Sequence, residues 1–384
     1  MKIIGVICEY NPFHLGHKKQ FDLIRKEFGE DTAIVCLMSG NFVQRGYPAI
    51  YHKSLRAAAA IECGADLVLE LPPVFALCSA EGFAAGGVQI LSQFCDYLCF
   101  GAETGTAESL MATAEALLSP NFSEALRAAL DQGISFAAAR QRALESMGID
   151  TSLLENPNDI LGLEYCKAIL ARNCAMQPFI INRKGNYHAA EPEPENPSAT
   201  SLRKLIQTGE TWQNYVPAEA AAIFQNAPIY TLAAGERSVL ARLRTMTNEE
   251  FESLPYSSEG LWRKLMHNCR SYATLEEILT ATKSKRYARS RLDRMVMCAF
   301  LGLTLKEIQI APPYVRVLAF NKAGTSLLKF ARQTGEFPHI GEKTDHEYEA
   351  LEQRLEDLYG LFRVDTPAAP NEKLRVYIKK QSTQ

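Results

Sequence analysis

Along the first hundred residues, hydrophobic positions switch repeatedly between two periods. Lys2–Cys8 is a short, nearly unbroken apolar run bounded by polar residues, the pattern of a strand buried on both faces. From Gly16 to Phe28 the apolar residues recur at helical spacing. Thr32–Met38 reads as a strand again, Tyr51–Cys63 as a helix, and Asp66–Leu71 as a strand stopped by Pro72-Pro73. Ala80–Leu91 follows as a helix and Tyr97–Phe100 as a strand. This alternation predicts an α/β, Rossmann-like fold, with a parallel sheet covered by helices on both faces. Ligands of such sheets bind beyond the carboxyl ends of the strands, where strand order reverses. The residues just after each strand are therefore the ones to read for chemistry.

Farther along, 106–147 is helical in pattern, Ile160–Arg172 is an amphipathic helix and Gln177–Arg183 a further strand. The segment Glu191–Pro197 alternates with proline and cannot join a central strand. Ser201–Gln207 restarts a helix, and a domain boundary is expected near Gly209. This divides the chain into a catalytic domain, 1–209, and a mainly helical C-terminal domain, 210–384. The helical pattern runs to about Leu303, and strand-like runs follow at Val315–Phe320 and Leu374–Ile378. No internal repeat is visible.

Composition narrows the picture. A hydrophobic fraction of 47% and a charged fraction of 22% exclude a disordered chain or a coiled coil. The net charge of −3 means that any RNA partner must be met by a local basic patch. The ten cysteines form no CxxC pair, sit mostly in apolar runs and read as buried free thiols of a reducing cytoplasm. No stretch approaches about 18 consecutive apolar residues, so no membrane span is expected. No protein partner is evident.

The densest chemistry lies in Cys8-Glu9-Tyr10-Asn11-Pro12-Phe13-His14-Leu15-Gly16-His17. A strand ends, a proline-stiffened turn follows, and a helix opens near Gly16. The start of that helix presents unpaired main-chain N–H groups and the positive end of its dipole. His14 and His17 bracket a glycine that lets a ligand approach the backbone, and both can donate to phosphate oxygens. Attack of a carboxylate or phosphate on the α-phosphate of ATP needs positioning and charge stabilisation rather than a covalent nucleophile. The plain alternative is a pair of surface histidines near a turn.

Glu9-Tyr10-Asn11-Pro12-Phe13-His14-x-Gly16-His17 resembles the opening of the tRNA(Met) cytidine acetate ligase family, a branch of the HxGH nucleotidyltransferases. Similar segments follow in order: Met38–Gly46, Gly64–Pro72, Phe100–Glu103, Pro157–Gly162 and Lys285–Leu292, so the likeness spans essentially the whole chain. It implies an enzyme that activates acetate with ATP as acetyl-adenylate. The acetyl group then passes to the exocyclic amine of the wobble cytidine of elongator tRNA(Met), forming N4-acetylcytidine. It implies that Ile7–Gln20 cradles ATP, here Ile7, Cys8, Glu9, Tyr10, Asn11, Pro12, Phe13, His14, Gly16, His17 and Gln20. Gly101, Asn158 and Arg183 complete the nucleotide site by motif, although this chain has Asn158-Asp159 where the family often has two asparagines. Mg²⁺ is expected as the nucleotide complex. Ser198-Ala199-Thr200-Ser201-Leu202-Arg203 resembles the Ser-Ser-Thr-x-Ile-Arg element with which related cytidylyltransferases hold the triphosphate. On that reading Ser198, Thr200 and Arg203 meet phosphate, with Arg203 joining His14 and His17 as the catalytic set. Ser198 or Thr200 as a simple N-cap is the plain alternative.

Other positions are open between ligand and structure. Ser39-Gly40-Asn41 and Gln44-Arg45-Gly46 follow the second strand and suit a small-anion pocket or a surface turn. Lys53 and Arg56 open a helix, where cations oppose the dipole unless they face an anion. Lys283, Lys285, Arg286, Tyr287, Arg289 and Arg291 form the densest basic stretch. If helical, it places Lys285 and Arg289 on one face suited to RNA phosphates, with Tyr287 able to stack on a base. A solvated charged helix is its ordinary reading. Besides the ligase, the residues admit a nucleotidyltransferase acting on a small phosphorylated metabolite and a non-catalytic RNA-binding protein on the same fold. The basic C-terminal half counts against the first of these, and intact His14, Gly16, His17 and Arg203 against the second.

Overall fold

A computed structural model describes residues 1–182, 197–258, 260–285, 287–334, 339–341, 346–365 and 375–379. Five parallel strands form its centre: β1 (Ile3–Cys8), β2 (Ala33–Ser39), β3 (Leu67–Leu71), β4 (Tyr97–Ala102) and β5 (Gln177–Asn182). They lie in the order β3-β2-β1-β4-β5. Every residue of β2 and β3 is buried, as their continuous apolar runs require. Alternate residues feed opposite cores: Val35 and Leu37 pack on one face of the sheet, Ile34 and Cys36 on the other.

Helices α1 (Leu15–Phe28), α2 (Lys53–Glu62) and α3 (Ala80–Leu91) connect the first four strands. α3 lies so near β1 that a Cβ on Gly87 would fall 2.3 Å from the Ile7 side chain. α4 (Pro157–Arg172) precedes β5, and α5 (Ala199–Thr208) packs Leu202 and Ile206 into the core that holds Tyr10 and Phe13. The chain builds β2 and β3 to one side of β1, then crosses to place β4 on the other. The carboxyl ends of β1 and β4 therefore border the crevice at which strand order reverses.

Trp212, Val216, Ala220 and Phe224 still pack in the sheet's core. Beyond them comes a helical unit, α6 (Leu232–Thr245), α7 (Leu261–Ser271), α8 (Leu275–Thr282), α9 (Arg289–Leu301) and α10 (His346–Gly360), around a core that also takes in Phe42 and Leu77. Most of the strand-like runs expected near the C-terminus join the main sheet, while Tyr314–Val315 pairs with His339–Ile340 in a small parallel sheet. β6 (Val317–Phe320) pairs antiparallel with β3, and β7 (Tyr377–Ile378) pairs with β6, so seven strands form one sheet. The chain thus returns to the sheet after its helical excursion. All ten cysteines are free thiols.

Candidate active site

β1 runs straight into the site. Tyr10 takes φ +44°, a left-handed conformation unusual for a bulky residue, and turns the chain sharply after the strand. Tyr10 is buried with its hydroxyl 3.3 Å from Cys36 Sγ, and Phe13 is buried beside it. The turn is held from outside as well: Asn11 Oδ1 accepts from the Ile50 N–H at 2.8 Å, and Glu9 Oε1 from the Gln44 N–H at 2.9 Å. α1 then starts at Leu15 with His14 as its N-cap.

The two histidines cap this helix together. His14 Nδ1 accepts from the Gly16 N–H at 3.1 Å, and His17 Nδ1 accepts from the His14 N–H at 3.2 Å. Their rings stack with centroids 3.6 Å apart. Because each Nδ1 is used as an acceptor, the proton of a neutral ring sits on Nε2. The helix start thus carries two imidazole N–H donors together with its own dipole, a constellation that complements an anion.

Arg203 reaches this turn from α5. Its Nη1 donates to the Asn11 carbonyl at 2.8 Å, and its Nη2 to Thr200 Oγ1 at 3.1 Å and to the Tyr47 hydroxyl at 3.4 Å. Ser198 is the N-cap of α5, accepting from the Ser201 N–H at 3.1 Å. Gln20 spans the crevice from α1, donating to Cys99 Sγ on β4 at 3.4 Å. Ile7, Cys8, Gly16 and Gly101 are half-buried on the strands and turn bordering the same crevice, and Pro12 is buried there. Arg183 follows β5 directly but lies outside the described residues.

The loop after β4 is fastened by a residue that sequence reasoning passed over. Asp159, fully buried near the start of α4, accepts from the main-chain N–H groups of Glu103, Thr104 and Gly105 and from the Thr104 hydroxyl, at 2.7–3.2 Å. Burial alone would raise its pKa, but these donors more than offset it and hold the carboxyl below its usual range. Asn158 donates to Glu103 Oε1 at 2.6 Å, so its amide positions this loop as well. An aspartate in the first turn of a helix after Pro157 was the available signal, and it pointed only to capping.

Several open positions resolve into structure. Arg56 is fully buried and donates to the main-chain carbonyls of Glu9, Ser39, Gly40 and Tyr51, so it ties β1 and β2 together instead of facing a ligand. Lys53 lies between Glu70, at 2.9 Å, and Glu356 of α10, at 3.1 Å. Burial lowers its pKa, and the two carboxylates more than restore it, to above the ordinary value. Asn41 donates to the same Glu356 carboxylate at 3.0 Å. Arg45 is exposed. Gly46 has φ +84°, and a Cβ there would fall 2.5 Å from the Arg294 main-chain nitrogen, so the loop after β2 abuts the backbone of α9.

The basic stretch is not one helix. Ser284 and Tyr287 close a bridge in a turn between α8 and α9, and the helix begins only at Arg289. The shared face expected of Lys285 and Arg289 therefore does not form. Arg289 is bidentate to Glu276 at 2.8 and 2.7 Å and also holds Asp293, while Arg291 donates to the Tyr256 carbonyl and Ser258 and lies over the Tyr287 ring. Lys283 and Lys285 are exposed, and Arg286 lies outside the described residues.

The family described as HIGH Nucleotidyl Transferase matches residues 1–372. The tRNA(Met) cytidine acetate ligase of Alkaliphilus metalliredigens is 37% identical over 88% of this chain and 87% of its own. That of Acetivibrio thermocellus is 33% identical over 90% and 89%. Among solved structures, Thermotoga maritima TmcAL in its apo form superposes with a TM-score of 0.89 at 28% identity, covering 98% of this chain and 99% of that one. The same protein bound with alpha-thio ATP superposes with a TM-score of 0.85 at 29% identity, over 95% and 96%.

Proposed function

The chain belongs to the HIGH nucleotidyltransferase family and, within it, to the tRNA(Met) cytidine acetate ligases, and from that premise we propose the following chemistry for the crevice between β1 and β4. A carboxylate oxygen of acetate attacks the α-phosphorus of ATP, the bond to pyrophosphate breaks, and acetyl-adenylate forms. The exocyclic amine of the wobble cytidine of elongator tRNA(Met) then attacks the acetyl carbon. AMP leaves and the amine gives up a proton, which yields N4-acetylcytidine.

His14 and His17 offer imidazole N–H donors to the phosphates, and Arg203, held at the same turn, adds a guanidinium. Donors fixed in advance stabilise the charge that builds on phosphate in the transition state without reorganising during it. Gly101, Asn158, Ser198 and Thr200 border the nucleotide, and Asp159 keeps the loop after β4 in place. Asp159 is taken up by the loop donors, and the described residues hold no cluster of carboxylates for a metal, so Mg²⁺ would be held by the phosphates and water and would offset phosphate charge. Among the described residues no helix is long and apolar enough to cross a membrane, and we place the enzyme in the cytoplasm with its tRNA. The helical C-terminal unit takes the RNA-binding role.

The observation that carries this reading is the histidine pair at the strand-order reversal, with Arg203 brought to the same turn from 192 residues away. Incubation with ATP, labelled acetate and unmodified elongator tRNA(Met), followed by nucleoside digestion, tests it. Label in acetylcytidine that depends on ATP supports the ligase. ATP turnover without labelled RNA would redirect the search to another acceptor, and no turnover would sink the proposal.

A further inference from the structure

α7 has the sequence LWRKLMHNCRS, with no carboxylate in it. It buries Leu261, Leu265, Asn268 and Cys269 and exposes Arg263, Lys264, His267 and Arg270. The spacing of three and four residues sets these polar side chains along one outer face. At 1.5 Å per residue, Arg263 and Arg270 lie about 10 Å apart along the axis.

Among the described residues, the cations of this face meet only neutral partners. Arg263 stacks over Trp262 at 5.0 Å, Lys264 donates to the Lys283 carbonyl at 3.4 Å, and Arg270 donates to Asn248 Oδ1 at 3.4 Å. Among the described residues no carboxylate pairs with any of them. Carboxylates are nearby: the short helix Asn248–Glu252 packs beside α7 and carries Glu249, Glu250 and Glu252. Elsewhere in the unit arginines do pair, as Arg242 with Glu250 at 2.8 Å and Arg289 with Glu276 at 2.7 Å.

The face also leads to the crevice. The hydrogen bond from Lys264 to Lys283 joins it to the turn that exposes Lys283 and Lys285. Arg291, in the first turn of α9, is bonded to Tyr256 and Ser258, just ahead of α7. One turn later, the backbone of Arg294 touches Gly46, next to Tyr47 and its partner Arg203.

We infer that the outer face of α7, continued by Lys283 and Lys285, is the surface that grips the phosphate backbone of the RNA while its reacting base enters the crevice. This rests on the ligase reading above. A row of cations that no carboxylate among the described residues neutralises suits an elongated polyanion and contributes affinity without reading sequence.

The test uses the full-length protein with tRNA in a salt titration. Neutralising Arg263, Lys264 and Arg270 together to Ala should lower affinity roughly tenfold or more near 0.1 M salt. It should also lower the slope of log K against log salt by roughly two, since each phosphate no longer neutralised removes about 0.7–0.9. Lys283→Ala with Lys285→Ala should lower the slope by a smaller step. Arg263→Lys with Arg270→Lys, which keeps the charge, should retain it. Binding to polyglutamate as an acidic-protein probe should stay weak in parent and variants alike. A triple variant with the parent's affinity and slope overturns this inference alone, as does a polyglutamate affinity that matches tRNA and falls in parallel. A parent that binds no RNA overturns the ligase reading with it.

Discussion

The guanidinium of Arg203 donates to the main-chain carbonyl of Asn11 at 2.8 Å, joining α5 to the turn that follows the first strand. One fork holds that turn, Thr200 and Tyr47 together, so charge and shape are both in use. Arg203→Lys keeps the charge and loses the fork. ATP–pyrophosphate exchange in the presence of acetate should show kcat/KM for ATP falling about 10²-fold. An unchanged value would remove Arg203 from the phosphate site.

His17 does two jobs that a substitution can separate. Gln at the same position can still accept from the His14 N–H, as in an ordinary capping box, but offers no imidazole. His17→Gln should therefore unfold within about 0.5 kcal/mol of the parent while adenylate formation drops about 10²–10³-fold. His17→Ala should lose the same activity and about 1 kcal/mol of stability as well. Full activity in the glutamine variant would reduce His17 to a cap.

Gly46 is constrained twice, by φ +84° and by the Arg294 backbone against it. Gly46→Ala should cost about 2–4 kcal/mol in urea unfolding. Acetyl transfer to tRNA should fall more than adenylate formation, because the displaced element is the junction with α9. Equal loss in both steps would argue that the nucleotide site itself is disturbed.

Glu356 brings a pH dependence with a definite sign. Burial would raise its pKa, but Lys53 and then His52 hold the carboxyl well below the usual range. A depressed folded value means that its stabilising contribution is complete above the ordinary carboxylate pKa of about 4.3 and is lost as pH falls through the folded value. Glu356→Gln should cost about 3 kcal/mol at pH 7, since it leaves buried Lys53 with less compensation. The gap to the parent should narrow as pH drops below about 4. A gap constant from pH 7 to pH 3 would show that the pair contributes nothing through its charge.

The central strands were legible because they are buried on both faces, and a run like 33–38 has no polar position to disguise it. The helix boundaries read from periodicity fell within a residue or two for α1 and α3. What periodicity misses is contact at a distance. Lys53 and Arg56 look like ligand-binding cations at a helix start, and nothing local reveals Glu356, which lies 304 residues beyond His52 and bonds it. The turn at Ser284–Tyr287 escaped for a different reason, since Lys, Arg and Ala fit a helix by propensity and only the bridge across the turn overrides them. The histidine pair was visible as two residues after a strand. That each ring would cap the helix start was not, because Nδ1 and Nε2 are equivalent until a backbone chooses between them.

α9 lies between two sites, with Arg291 tied beside the basic face and Arg294 seated on Gly46. Such a helix gives the two sites one physical connection, and equilibrium thermodynamics requires any coupling carried by it to run equally in both directions. Whatever factor RNA adds to the affinity for nucleotide, nucleotide must add to the affinity for RNA. With a factor above one, the enzyme holds its tRNA most firmly while acetyl-adenylate is in place and loosens its grip once AMP departs; with a factor below one, the order is reversed.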